Sequence, residues 1–170
     1  ISFYAKTKLD GENFVKSICG DYGINYVIAR VFNCYGERQK NTFVIPSLIN
    51  KILSSDSMQA SNLDDTRDFI YIGDVIDALV KLGEDNSSGI YNIGRGEEIR
   101  VRDVLSNLLK ISGKRIDVEE INIPSNTRSA AVSRIYADIT RIKSTGWTPK
   151  VLLMDGLKKT YLYYKNIRNK

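Results

Sequence analysis

The sequence predicts an α/β fold built on a parallel sheet. Three observations point to it. The run Val27-Ile28-Ala29-Arg30-Val31-Phe32 is mostly apolar and rich in β-branched residues, as in a strand buried on both faces. The chain then turns polar, with Asn33, Gly36, Glu37, Arg38 and Gln39. This is the pattern at the carboxyl edge of a parallel sheet, where open α/β folds bind ligands. Ahead of the strand, residues 3 to 21 place Leu9, Phe14 and Ile18 at helical spacing. Helix, short loop and buried strand make half of a βαβ repeat.

Composition narrows the classes. The chain has 170 residues, 42% hydrophobic and 26% charged, enough for a globular core. No apolar run approaches the roughly 18 residues of a membrane span, so no membrane partner is expected. Cys19 and Cys34 lack CxxC spacing, which fits a reduced, cytoplasmic setting and gives no metal site. The chain has no histidine, which removes Ser-His-Asp and Cys-His catalysis and histidine-based metal sites unless another chain supplies the residue. Part of the net charge of +5 comes from Lys158, Lys159, Lys165, Arg168 and Lys170, the solvated face of a last helix. No zinc-finger or aromatic RNA-binding motif accompanies it, so nucleic acid is not expected. A modest basic balance suits an enzyme for anionic phosphate esters. The chain begins at Ile1 and reaches helical sequence almost at once, with no glycine-rich phosphate loop ahead of it. It reads as the later part of a longer protein.

Further elements follow in order. Residues 42 to 53 read as a helix with Pro46 in its first turn, and residues 58 to 60 as a short strand. Residues 61 to 74 read as a tight turn, a strand and a helix start, with Asp74 as N-cap of a helix over 75 to 83. Arg67 either pairs with the adjacent Asp68 or points its fork at a phosphate. Residues 89 to 93 form a strand closed by Gly94-Arg95-Gly96, which is not a dinucleotide fingerprint. A helix over 99 to 111, a strand over 116 to 123, a loop over 124 to 133, a short helix over 139 to 145 and a last helix over 152 to 167 complete the chain.

Tyr4 and Lys8 are four apart on the first helix and share a face. A tyrosine hydroxyl ionises near about pH 10, and a neighbouring ammonium favours its phenolate. Such a pair can act as general acid or base beside a hydride-transfer cofactor. The spacing alone carries little, because Tyr161 and Lys165 repeat it on an ordinary amphipathic helix.

Six segments together resemble the extended short-chain dehydrogenase/reductase family, the nucleotide-sugar epimerases, dehydratases and reductases. Tyr4-Ala5-Lys6-Thr7-Lys8 is similar to its YxxxK motif, and Arg30-Val31-Phe32-Asn33-Cys34-Tyr35-Gly36 to its R-x-F-N-x-Y-G strand end. Val44-Ile45-Pro46 resembles the start of its first substrate-domain helix. Residues Arg67 to Asp74 resemble R-D-F/Y-I-x-V-x-D, Tyr91 to Gly94 resemble Y-N-I-G, and Gly146-Trp147-Thr148-Pro149 resembles G-W-x-P.

The resemblance implies the carboxyl-terminal part of a Rossmann-type parallel sheet plus a small mixed α/β substrate-binding domain. Residues 1–42 would end the dinucleotide-binding domain and 43–170 would form mainly the substrate domain, with 89–94 returning to the Rossmann sheet. It implies Tyr4 as catalytic acid/base, Lys8 on the nicotinamide ribose and Phe32 beside the nicotinamide. Asn33, Val44, Asn62, Arg67 and Arg128 would bind the nucleoside-diphosphate sugar. The cofactor would be NAD or NADP. The tyrosine-bearing helix would pair with its copy in a homodimer.

Two departures stand out. The family usually has proline after Y-G, where this chain has Glu37, and many members carry an acid where Ala131 stands. The family's glycine-rich loop and catalytic Ser/Thr precede the tyrosine helix, so these residues alone are not expected to turn over substrate. The main reading is an NAD(P)-dependent nucleotide-sugar epimerase or dehydratase. Ser61-Asn62-Leu63-Asp64 ahead of Arg67 resembles the run of GDP-4-keto-6-deoxymannose reductases, which makes that reaction, or a non-catalytic nucleotide-sugar-binding relative, the alternative.

Overall fold

The computed structural model describes residues 2–121 and 134–168. Helix α1 (Phe3–Asp21) starts at Ser2, whose side chain accepts a hydrogen bond from the Ala5 N–H at 3.2 Å. Strand β1 (Val27–Val31) follows, then β2 (Asn33–Tyr35). The expectation of one buried strand ending in a polar loop is corrected here. Among the described residues β1 pairs with one strand only, so Arg30 and Val31 are exposed. Asn33 begins a second strand, and the turn starts at Gly36.

Helix α2 (Val44–Ser54) carries Ile45, Leu48, Ile49 and Ile52 on its buried face, the spacing of an amphipathic helix. Pro46 sits in the first turn, where its missing N–H costs no intrahelical bond. Strands β3 (Ser57–Ala60), β4 (Thr66–Arg67) and β5 (Phe69–Tyr71) lead into α3 (Ile72–Glu84). Then come β6 (Gly89–Ile93), β7 (Ile99–Arg100), α4 (Val101–Ser112) and β8 (Asp117–Glu120). Strand β9 (Arg134–Ile135), α5 (Thr140–Lys143) and α6 (Leu153–Arg168) follow. Gly113 ends α4 in the left-handed region at φ 66°, a conformation that favours glycine.

The pairing is mostly parallel: β1 with β6, β2 with β5, β3 with β8 and β4 with β9, while β4 runs antiparallel to β7. Two hydrophobic cores result. The first joins α2, α4 and α6 through Ile49, Ile52, Val104, Leu108, Leu157 and Tyr161. The second joins β6, α3 and α5 through Ile93, Ala78, Leu82, Ile142 and Trp147. Strands β2 and β5 stand between them. Tyr35, Phe69 and Tyr71 face the first core and Cys34 and Ile70 the second, as the two-residue period of a strand requires. Each fully buried Ile or Leu contributes about 2 kcal/mol of transfer free energy.

Two buried carboxylates fasten the loops to this frame. Asp68 has no exposed surface and accepts from the backbone N–H groups of Arg95 at 2.7 Å, Gly96 at 2.8 Å and Ala137 at 3.1 Å. It therefore serves the Gly94-Arg95-Gly96 loop rather than its neighbour Arg67. A Cβ on Gly94 would lie 2.7 Å from Asp68 Oδ2, so only glycine lets that loop come so close. Asp74 is not the N-cap, because α3 begins at Ile72 with Tyr71 as its cap residue. Asp74 lies in the first turn, 2% exposed, and accepts from the Lys150 N–H at 3.0 Å and the Val151 N–H at 3.1 Å. It thereby pins the segment after Gly146-Trp147-Thr148-Pro149.

Candidate nucleotide-sugar site

A cavity of about 270 Å³ opens where β2, the start of α2, the 61–65 turn and β4 meet. Asn33, Val44, Asn62 and Arg67, the predicted substrate contacts that fall on described residues, all line it. Arg128 lies outside the described residues. Phe43 and Val44 are exposed and form an apolar wall above the buried Ile45, Phe69 and Val101. Asn62 adopts φ 58°, a left-handed conformation that asparagine tolerates, and its carbonyl accepts from the Asp65 N–H at 3.2 Å.

Arg67 is placed by β4, the middle strand of a three-stranded sheet flanked by β7 and β9. Its guanidinium donates to the Thr66 carbonyl at 2.7 Å and lies 3.4 Å from an Asp65 carboxylate oxygen. The Arg67 side chain is 19% exposed, so a cation sits at the cavity partly shielded from water. Glu98 buttresses the strand from behind. It accepts from the Thr66 hydroxyl at 2.6 Å and from Arg134 at 2.6 and 2.7 Å. The Arg134 guanidinium, helped by the Thr66 hydroxyl, pulls the Glu98 carboxyl down to about 2.

The cavity has further lining that the sequence pattern did not single out. Ser61, Asp65 and Gln39 add polar groups, and Cys34 adds a thiol raised above its ordinary range by burial. Tyr35 is 2% exposed and its hydroxyl, also raised by burial, donates to the Leu153 carbonyl at 3.3 Å. Only tertiary contact brings Ser61, Asp65 and Gln39 to one surface, so no local spacing marks them. Asn33 and Arg67 carry local signals, as a polar residue closing a mostly apolar run and as a guanidinium following a tight turn.

Tyr4, Lys8 and Phe32 do not line this cavity. Tyr4 is 69% exposed in the first turn of α1, and Lys8 Nζ lies 5.5 Å from its ring centroid. No residue of α1 is buried. The helix is tied to β1 by Arg30, which donates to both oxygens of Glu12 at 2.7 and 2.6 Å. That hydrogen bond lowers the Glu12 carboxyl. Arg30 thus sets α1 against the strand that runs on to Phe32 and Asn33. Phe32 is half-buried between β1 and β2, and its N–H donates to the Ile93 carbonyl at 2.9 Å. The other Tyr/Lys pair differs in kind: Tyr161 is 3% exposed and packs in the first core.

The family profile described as GDP-mannose 4,6 dehydratase matches residues 1–160. The chain belongs to that family. Among relatives of this GDP-mannose 4,6 dehydratase-family chain, the GDP-6-deoxy-D-mannose reductase of Pseudomonas aeruginosa is 29% identical over 167 residues, covering 91% of this chain and 53% of the relative. The UDP-glucose 4-epimerase of Thermotoga maritima, solved with UDP-glucose, superposes with a TM-score of 0.89 at 29% identity, covering 99% of this chain and 55% of that one. The UDP-glucuronic acid 4-epimerase of Bacillus cereus, solved with UDP-glucuronic acid and NAD, gives 0.84 at 33% identity, covering 96% and 52%. Similar structures hold NADPH or NAD. The α/β class with parallel strands expected from the sequence is thus the class observed, and the relatives are nucleotide-sugar enzymes. The chain spans about half the length of the curated relatives it matches.

The first turns of α1 offer a phenol and an ammonium one helical turn apart, both exposed to solvent.

Proposed function

We propose that this chain supplies the nucleotide-sugar site and the proton-transfer pair of an NAD(P)-dependent nucleotide-sugar epimerase or dehydratase. The observation that carries the reading is the convergence of Asn33, Val44, Asn62 and Arg67 on one cavity. A guanidinium fork suits a diphosphate, and an apolar wall with a few fixed polar groups suits a nucleoside. Arg128 is proposed as a further contact of the same kind. Tyr4 serves as acid or base on the sugar hydroxyl, Lys8 donates to the nicotinamide ribose, and Phe32 lies beside the nicotinamide. The bound nicotinamide supplies hydride acceptance or return at the sugar carbon. The chain's own residues hold the diphosphate and move the hydroxyl proton.

Residues 1–42 are read as the end of the dinucleotide-binding domain and 43–170 as mainly substrate domain, with 89–94 returning to the first sheet. The parallel β1–β6 pairing supports that return. A homodimer through α1 is proposed on its exposed apolar residues, Phe3 at 84% and Phe14 at 68%. Light scattering tests it: a dimer that Phe14→Glu makes monomeric supports it, and a monomeric parent contradicts it. The free thiols of Cys19 and Cys34 fit a cytoplasmic setting.

The second reading is a GDP-4-keto-6-deoxymannose-type reductase, favoured by the 61–64 run and by the relative from Pseudomonas aeruginosa. Turnover by the whole enzyme, with a complete dinucleotide-binding half joined to this chain, separates the readings. UDP-glucose, dTDP-glucose, GDP-mannose and GDP-4-keto-6-deoxymannose are each incubated with NAD or NADPH and the products resolved. An isomer or keto-deoxy product supports the main reading, and consumption of NADPH with the keto sugar supports the second. Tyr4→Phe should lower either rate by at least about a hundredfold without weakening binding. A nucleotide sugar that the whole enzyme binds and never converts would leave a non-catalytic relative.

A further inference from the structure

Both walls of the cavity hang on one irregular loop. Strand β2 supplies Asn33, Cys34 and Tyr35, and the start of α2 supplies Val44 and Ile45. The intervening residues 36 to 43 form neither helix nor strand. Gly36 packs so closely on Ile72 that a Cβ would collide with it, and Arg38 is held at φ 65°, a costly conformation for a side-chain-bearing residue. Tertiary contacts must therefore hold the loop in this shape.

Several side chains do so, among them Asn50 of α2, whose Nδ2 donates to Asn41 Oδ1 at 2.7 Å. Gln39 Nε2 donates to the Cys34 carbonyl at 2.8 Å, and the Tyr164 hydroxyl of α6 donates to the Gln39 carbonyl. The Tyr71 hydroxyl donates to both carboxylate oxygens of Glu37, at 2.8 and 3.0 Å. Tyr71 itself cannot follow the loop. It is 8% exposed, stands opposite Tyr35 in the β2–β5 register, meets that ring edge-on at 5.8 Å, and lies 5.3 Å below Lys159 Nζ of α6. Burial, with the Glu37 bond, carries its hydroxyl up to about 12, so it remains a donor across the physiological range. Glu37 stands where the family usually has proline. A ring that fixes one dihedral is here replaced by a carboxylate that fixes the loop through a distant partner.

We propose that Glu37 is a positioning residue for nucleotide-sugar binding: through Tyr71 it fixes the span between the Asn33 wall and the Val44 wall. A ligand gripped at both walls then meets a loop already in its bound shape and does not bear the cost of ordering it. The inference rests on the cavity's proposed role.

The test uses calorimetric titration with UDP-glucose and GDP-mannose. Tyr71→Phe removes only the hydroxyl and keeps the ring packing. It should weaken the better-bound probe roughly three- to tenfold, part of the worth of one charge-assisted hydrogen bond. Glu37→Gln keeps an acceptor and should stay within about twofold of the parent. Glu37→Ala combined with Tyr71→Phe should bind no more weakly than Tyr71→Phe alone, since both break one link. If the parent binds a probe and Tyr71→Phe binds it equally well, with or without a lower Tm, the role is merely structural and the inference is overturned. If the parent binds neither probe, the cavity reading fails and takes the inference with it.

Discussion

The cavity and helix α1 are built on opposite principles. Around the cavity, Ile45, Phe69 and Val101 are buried, and the strands beside it are fastened by Asp68 and Glu98. Helix α1 buries nothing and is tied by the Arg30–Glu12 pair, with Tyr4 open to solvent. The difference separates two parts of one chemistry. Holding a diphosphate, the role proposed for the cavity, needs charge and shape fixed in advance, and the cavity offers a partly shielded guanidinium beside a buried apolar floor. Moving a proton beside a hydride acceptor needs water excluded, and the described residues leave Tyr4 in it. This is the physical ground for expecting binding without turnover from these residues alone.

The largest effect should come from breaking the fastened side. Asp68→Ala leaves three backbone N–H groups, one of them buried and two partly so, without their acceptor and should cost roughly 2–4 kcal/mol in urea unfolding, while Asp68→Asn should cost less. Ile49→Ala in the first core, where Ile49 has no exposed surface, should cost roughly 2–5 kcal/mol. By contrast Phe14→Ala on α1, measured on protomers diluted to the monomer, should stay within about 0.5 kcal/mol of the parent. A large loss at Phe14 in the monomer would show that α1 is covered within the protomer and would close much of the gap between the two regions.

Acid titration sharpens the same contrast more gently. The folded Glu98 carboxyl lies near about 2, below its unfolded value of about 4.3. The folded state therefore gains from its ionisation, fully above the unfolded value, and loses that gain as pH falls toward about 2. Unfolding free energy measured between pH 5 and 2, at roughly half-unit steps, should fall less steeply in Glu98→Gln than in the parent. An equal slope would mean that the Arg134 clamp does not hold the carboxylate in solution.

Much of this was legible in the residues. Helix α1 occupies the residues 3 to 21 that its partial apolar face predicts, and Ser2 caps it. The helical spacing of Leu153, Leu157, Tyr161 and Tyr164 predicts the apolar side of α6, and all of them pack on the first core. The cavity residues were reached through motif resemblance, since nothing in local spacing links Asn33 to Arg67. Asp74 looks like a cap in the sequence because the donors to its carboxylate, the N–H groups of Lys150 and Val151, lie far along the chain. Glu37 was visible only as a departure from a pattern, and its partner Tyr71 emerges only once β2 and β5 pair. Long-range hydrogen bonds leave no periodic trace in a sequence.

The most direct test pairs a change in each region. Titration of the parent, Arg67→Ala and Tyr4→Phe with UDP-glucose, dTDP-glucose and GDP-mannose compares the cavity with the exposed helix. One nucleotide sugar should bind the parent, Arg67→Ala should bind it roughly ten- to a hundredfold more weakly, and Tyr4→Phe should bind it within about twofold. Equal binding by the parent and Arg67→Ala, with the loss falling on Tyr4→Phe instead, would contradict the assignment of the ligand to the cavity.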